Sequence, residues 1–328
     1  MQTLLGCTRA YQLIKNERDK NELSHAYLLH LPDARNLRAA LKAFAKLFFA
    51  CERQRSAEEN RVFRLIDEEH FSDCLFYPED GKKFMVEDAE AVQEESILQP
   101  VEGSVKVFVI CDFDLATPAA QNKMLKLLEE PPQGVRFLLG ATSTFPVLQT
   151  VLSRVKTLEI PPFSVQEIEE CLMRNYSAAY SPAEIALCAA ACGGVLGEAE
   201  NMLLGGAYKS LIADALALAV ASERDLPALV KKIGETKKKK ELLSLLRIVY
   251  RDALLLKTAQ AKNELAIQKQ VFLQAEQAQL QTIANKLSLP TLLYAQEAVG
   301  KAEKQVAFNA YFPQCIETLI AGILSYQV

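Results

Sequence analysis

The sequence predicts an α/β domain built on a parallel sheet, followed by helical domains to its end. Residues 1 to about 160 alternate strand-like and helix-like segments, whereas everything after about 163 reads as helix after helix. The stretch 105–111, Val-Lys-Val-Phe-Val-Ile-Cys, is almost continuously apolar, as a strand buried on both faces of a parallel sheet should be. At 328 residues the chain also exceeds what one hydrophobic core organises, so two or three domains are expected.

The elements follow in order. Residues 26–31 form a short apolar strand, and Leu37, Leu41, Phe44, Ala45 and Phe48 then repeat at helical spacing. The strand 105–111 ends in Asp112, Phe113 and Asp114, at the carboxyl edge where α/β proteins place their chemistry. Thr117 caps a helix with Pro118 at its first position, Ala120, Met124, Leu127 and Leu128 form its buried stripe, and Pro131, Pro132 and Gly134 stop it. Further strands are expected at 136–142 and 156–160. Pro161-Pro162 and Gly205-Gly206 read as linkers, giving an α/β domain over 1–162, a small helical domain over 163–206 and a larger one over 207–328. In the last, Leu242, Leu245, Leu246, Val249 and Leu256 form one stripe, and Leu292, Ala295 and Val299 begin another. The lysines 237–240 between helices read as a solvated turn or as a phosphate-binding patch.

A net charge of −4 argues against a whole-protein electrostatic grip on DNA or anionic lipid, so any nucleic-acid contact must be local or shared. No apolar run approaches the roughly 20 residues that span a bilayer, and no signal-peptide pattern opens the sequence; no membrane partner and a cytoplasmic location are expected. Eight cysteines are scattered without a CxxC pair and read as small buried hydrophobes. Cys188 and Cys192 are one helical turn apart and would supply half a metal site, with no matching pair elsewhere.

Ala119-Ala120-Gln121-Asn122, followed by Leu125-Lys126-Leu127-Leu128-Glu129-Glu130-Pro131-Pro132, resembles the helix after the Walker B strand in the AAA+ clamp-loader subunits of bacterial DNA polymerase III. Residues 137–142 and then Leu148, Thr150 and Leu152-Ser153-Arg154 resemble the family's sensor-1 strand and its serine-arginine-cysteine motif. Ser24-His25-Ala26-Tyr27-Leu28 is similar to its first core strand, and Pro100, Gly103 and Lys106 to the approach to Walker B; Asn309, Ala310 and Glu317 carry a weaker likeness near the end. The resemblance implies an AAA+ core, a helical lid and a helical collar. It also implies partners: motor subunits and the delta subunit in a five-membered ring, with the sliding clamp and primer-template DNA reached through the complex.

Departures from the pattern matter most. A working phosphate loop reads GxxxxGK[ST], since glycines let backbone N–H groups wrap the phosphates, lysine balances their charge and the hydroxyl ligates magnesium. Aligned on the first strand, the glycines are Leu31 and Asn36, the lysine is Leu37 and the hydroxyl is Arg38, while Asp33 would face the phosphates. Cys111 stands where Walker B needs the magnesium aspartate, and Asp112 where it has glutamate. Glu198 stands where active members carry the sensor-2 arginine. The family's zinc module is reduced to Cys51, Cys74 and His70, fewer than the four ligands zinc takes. No cofactor and no metal are expected. What remains is Ser153-Arg154: by resemblance Arg154 is an arginine finger acting in trans and Ser153 its motif neighbour, with a surface or ion-paired arginine as the alternative. Three functions compete: a ring subunit that serves a neighbour's ATP site, a motor subunit that hydrolyses ATP itself, and an adaptor that uses the fold only for binding.

Overall fold

The computed structural model describes residues 2–50, 57–206, 208–262 and 270–326. The chain divides into two compact units, Met1–Pro162 and Phe163–Val328.

The first unit is a five-stranded parallel sheet with helices around it. Its strands are β1 (Ala26–His30), β2 (Cys74–Tyr77), β3 (Lys106–Ile110), β4 (Val135–Ala141) and β5 (Lys156–Glu159), in the order β2-β3-β4-β1-β5. Register places Ala26 opposite Phe137, and Phe108 opposite Phe137 on the other side. Val107, Phe108, Val109 and Ile110 are all fully buried, the outcome that their unbroken apolar run predicts. Residues 74–77 are a strand that the sequence pattern does not announce. Four residues at a sheet edge are too few to display a period, and three of them are only half-buried.

Around the sheet lie α1 (Gln2–Gly6), α2 (Arg9–Asp19), α3 (Leu37–Phe49), α4 (Ala57–Asp67), α5 (Val86–Ser96), α6 (Pro118–Glu129) and α7 (Gln149–Leu152). Helix α3 sits close on β4: a Cβ at Gly140 would lie 2.5 Å from a methyl of buried Leu41, so only glycine lets the helix approach this far. Helix α6 begins as its sequence dictates, with Thr117 Oγ1 accepting from Ala120 N and Pro118 in the first turn.

The second unit contains α8 (Val165–Tyr176), α9 (Pro182–Ala191), α10 (Leu196–Leu204), α11 (Tyr208–Val220), α12 (Leu226–Ile233), α13 (Lys239–Lys262), α14 (Gln277–Lys286), α15 (Leu289–Ala307) and α16 (Phe312–Ser325). Ser164 with Glu167 and Ser181 with Glu184 form capping boxes that fix where α8 and α9 start. Helix α13 is the axis of this unit: Leu242, Leu245, Leu246, Val249, Tyr250 and Leu256 are buried against its neighbours α9, α11, α14 and α15. Asp252, fully buried on α13, accepts from the N–H groups of Phe272 and Leu273 at 2.9 Å each and so ties the 270–273 segment to the helix. Among the described residues no single helix is long and apolar enough to cross a membrane.

Candidate nucleotide cleft and arginine site

The cleft is built at the carboxyl ends of β1, β3 and β4. After β1 the chain turns at Leu31, which is buried and donates its N–H to Ala141 O at 3.0 Å. Asp33, expected to face the phosphates, is instead buried in the turn it belongs to. Its Oδ1 accepts from Asn36 N at 3.1 Å and its Oδ2 from Asn36 Nδ2 at 3.0 Å. The N–H of Asp33 goes to Leu31 O at 2.8 Å. A phosphate cradle needs N–H groups aimed outward at the anion, and here those of residues 33 and 36 are satisfied inside the loop.

Leu37 opens α3 and is 1% exposed, packed into the core rather than set at a cleft. Arg38 follows with its guanidinium held on three sides: Nε donates to Glu69 Oε1 at 2.7 Å, Nη2 to Glu69 Oε2 at 2.5 Å, and Nη1 to Pro78 O at 3.2 Å. Lys42 joins the same carboxylate at 2.8 Å, and the guanidinium lies 5.8 Å from the centre of the Phe76 ring. The forked hydrogen bond from Arg38 holds the Glu69 carboxyl down to about 2. A depressed folded pKa contributes stability that is fully present above the ordinary value near 4.5 and is lost as pH falls towards 2. Glu69→Gln should therefore cost about 1–2 kcal/mol at pH 7, a figure discounted for the pair's partial exposure, and nothing near pH 2. Urea unfolding at a series of pH values measures this, and an equal cost at both ends would refute the account.

On the other side of the cleft, Cys111 is 1% exposed, and burial pushes its thiol up to about 12, so it stays protonated and apolar in character. Asp112 is half-buried with a left-handed backbone (φ 48°), and burial followed by the nearby Asp114 raises its carboxyl. Asp114, in the single turn Phe113–Leu115, reaches across to the end of β4. Its Oδ2 accepts from Thr142 Oγ1 at 2.6 Å, Thr142 N at 3.2 Å and Ser143 N at 3.2 Å. The polar end of β4 is thus fastened to protein.

Arg154 lies just beyond α7. Its Nε donates to Glu129 Oε1 at 2.7 Å, its Nη2 is also paired with that oxygen, and its Nη1 donates to Thr150 O at 2.7 Å and Ser153 Oγ at 3.1 Å. Ser153 is exposed and its hydroxyl donates to Thr150 O. The arginine is a third exposed, so its ion pair is the surface kind that contributes at most about 1 kcal/mol and opens readily. Gln121, 1% exposed on α6, braces this segment. Its Oε1 accepts from Leu148 N at 2.8 Å, and its Nε2 donates to Ala116 O and Pro146 O. The motif that holds Gln121 is legible in the sequence; its role as a brace is not.

The structure brings Leu31, Asn36, Leu37, Arg38, Cys111 and Asp112 to one sheet edge, with Ser153 and Arg154 at the end of α7. Glu198 belongs to the second unit, where it is exposed in the first turn of α10. Of the three residues that the resemblance matches to a zinc module, Cys51 lies outside the described residues, Cys74 is buried and His70 exposed. No cluster of three or more metal-ligating side chains occurs among the described residues. The cysteine reading needs one correction: Cys7 is exposed, while Cys74, Cys111, Cys171, Cys188, Cys192 and Cys315 are buried.

Residues 6–164 match the family described as DNA polymerase III, delta subunit. The DNA polymerase III subunit delta' of Bacillus subtilis is 30% identical over 168 residues, which is 51% of each chain. Subunit tau of Escherichia coli K12 is 28% identical over 155 residues, 46% of this chain and 23% of tau. A DNA polymerase III gamma subunit-related protein of Thermotoga maritima superposes with a TM-score of 0.42 at 16% identity, covering 97% of this chain and 100% of that one. The chain spans about half the length of its Bacillus relative and a smaller share of tau. Over residues 6–164, this chain is similar to the delta-prime-like clamp-loader subunits of DNA polymerase III.

Proposed function

We propose that the chain is a clamp-loader subunit that does not hydrolyse ATP and serves a neighbouring motor subunit by offering Arg154 to its ATP site. In this reading it completes a five-membered ring with motor subunits and the delta subunit, and through that complex helps load the sliding clamp onto primed DNA. Residues 163–206 act as the lid and 207–328 as the collar through which the ring assembles.

The observation that carries the first half is the state of the cradle. The Arg38 guanidinium, closed onto Glu69 and Pro78 O, takes the place of the hydroxyl that would ligate magnesium. Asp33 satisfies the loop from within, and Cys111 offers a protonated thiol where a hard cation needs carboxylate oxygen. Three separate requirements of nucleotide binding are unmet at one sheet edge. The second half is supported by the partial exposure of Arg154, whose only ion pair among the described residues is a weak surface one with Glu129, beside hydrogen bonds to Thr150 O and Ser153 Oγ.

Isothermal titration of the isolated chain with a non-hydrolysable ATP analogue and magnesium should give no binding heat. Micromolar binding that Arg38→Ala alters would overturn the closed-cradle reading.

A further inference from the structure

We propose that the corner between α15 and α16, together with the lysine-rich segment beside it, is a contact site for single-stranded nucleic acid made by this chain itself. The inference rests on the second unit's surface and goes beyond the role of Arg154.

Phe308 and Tyr311 flank the turn at Asn309, whose left-handed backbone (φ 59°) reverses the chain between the two helices. Phe308 is 89% exposed and Tyr311 is 72% exposed. Two aromatic rings three residues apart in water cost free energy unless something covers them. The same corner adjoins the 234–240 segment: Lys239 Nζ sits 5.7 Å from the centre of the Phe312 ring, and a Cβ at Gly234 would meet Pro313 at 2.8 Å. That segment joins α12 to α13 and, with the end of α12, holds Lys231, Lys232 and Lys237–240 against a single acid, Glu235. Lys237, Lys239 and Lys240 are exposed, as is Lys304 one turn before Phe308, and none of the four is in an ion pair among the described residues.

Charge chooses the occupant. The whole chain carries −4, yet residues 207–328 hold sixteen Lys and Arg against eleven Asp and Glu, so the part of the chain that carries these rings has a basic surplus. Exposed lysines outside any ion pair, next to uncovered aromatic faces, suit a strand that offers phosphates to the one and unstacked bases to the other. A duplex offers the phosphates but keeps its bases stacked, so the rings would gain nothing from it. An apolar protein surface would cover the rings but leave the lysines without partners.

The test uses the isolated full chain and a fluorescein-labelled oligo(dT) 20-mer, read by anisotropy over a range of salt, so it does not depend on ring assembly or on Arg154. Lys237→Ala/Lys239→Ala/Lys240→Ala should flatten the salt dependence by a slope of about 2, from about 0.7 for each single-strand phosphate that is no longer neutralised. Phe308→Ala/Tyr311→Ala should weaken oligo(dT) about tenfold per ring while leaving duplex binding and the salt slope unchanged. The chain has no tryptophan, so Phe308→Trp supplies a lone reporter that should retain binding and be quenched by the oligonucleotide. Circular dichroism melting checks that each variant is folded. Unchanged affinity in both multiple variants overturns the proposal. So does an aromatic variant that keeps oligo(dT) binding but no longer assembles with partner subunits, which would make the corner a protein interface.

Discussion

Arg154→Ala, reconstituted into a full complex with motor subunits, is expected to assemble normally and to show a measurably lower DNA- and clamp-stimulated ATPase. In a ring ATPase the γ-phosphate lies at a boundary between subunits, and a cation from next door stabilises charge that develops in the transition state. Fingers supplied in trans contribute about 10³-fold or more in well-studied phosphoryl transfers, so even one site among several should be visible in kcat. Among the described residues the side chain is anchored by Glu129, Thr150 O and Ser153, and their removal costs little stability because the pair is exposed. Arg154→Lys should also be impaired, since an ammonium cannot reproduce the planar fork. Glu129→Gln, which loosens the resting pair without touching the arginine, should leave the rate at or above wild type. An intact Arg154→Ala complex with wild-type turnover would sink the finger role and favour the adaptor reading.

Gln121→Ala should give the second large effect, on stability and turnover together. The side chain is buried and makes three hydrogen bonds that hold Pro146, Leu148 and Ala116 in one arrangement. Truncation leaves the Leu148 N–H and two carbonyls short of partners and opens a void, a combination of about 2–4 kcal/mol. Because Leu148 caps the short helix leading to Arg154, the arginine should also lose its fixed approach. We expect complex ATPase to fall about tenfold at temperatures where the variant is still folded, an effect on kcat rather than on affinity for ATP. Gln121→Glu keeps the acceptor for Leu148 and loses both donors, so it should lie between. A Gln121→Ala chain that melts early yet supports full turnover would show the brace to be structural only.

The sheet strands β1, β3, β4 and β5 are legible in the sequence because each carries its signal locally, as an apolar run or a neighbouring turn residue. The start of α6 is legible for the same reason: Thr117 and Pro118 state it within two residues. What escapes is pairing over distance. Nothing near Arg38 announces that its partner is Glu69, thirty-one positions on, or that Asp114 would hold Thr142 and Ser143. Gln121 is hidden because a polar residue on a helix normally faces water, and only the approach of the 146–148 segment gives it a reason to be inside. The misplacement of Asp33 has a similar origin. Alignment puts it at a cleft, whereas its short side chain finds Asn36 three residues away and closes the turn.

Acquiring a phosphate loop over residues 31–38 is a path on which each of three single steps runs uphill. Leu37→Lys would put an ammonium where the side chain is 1% exposed. Arg38→Thr would leave Glu69, among the described residues, with only Lys42 as a side-chain cation and strip Pro78 O of this donor. Asp33→Gly would free the loop and at the same stroke leave Asn36 N without its carboxylate acceptor. Each of these residues is held by contacts of its own, so drift at any one of the three positions costs stability.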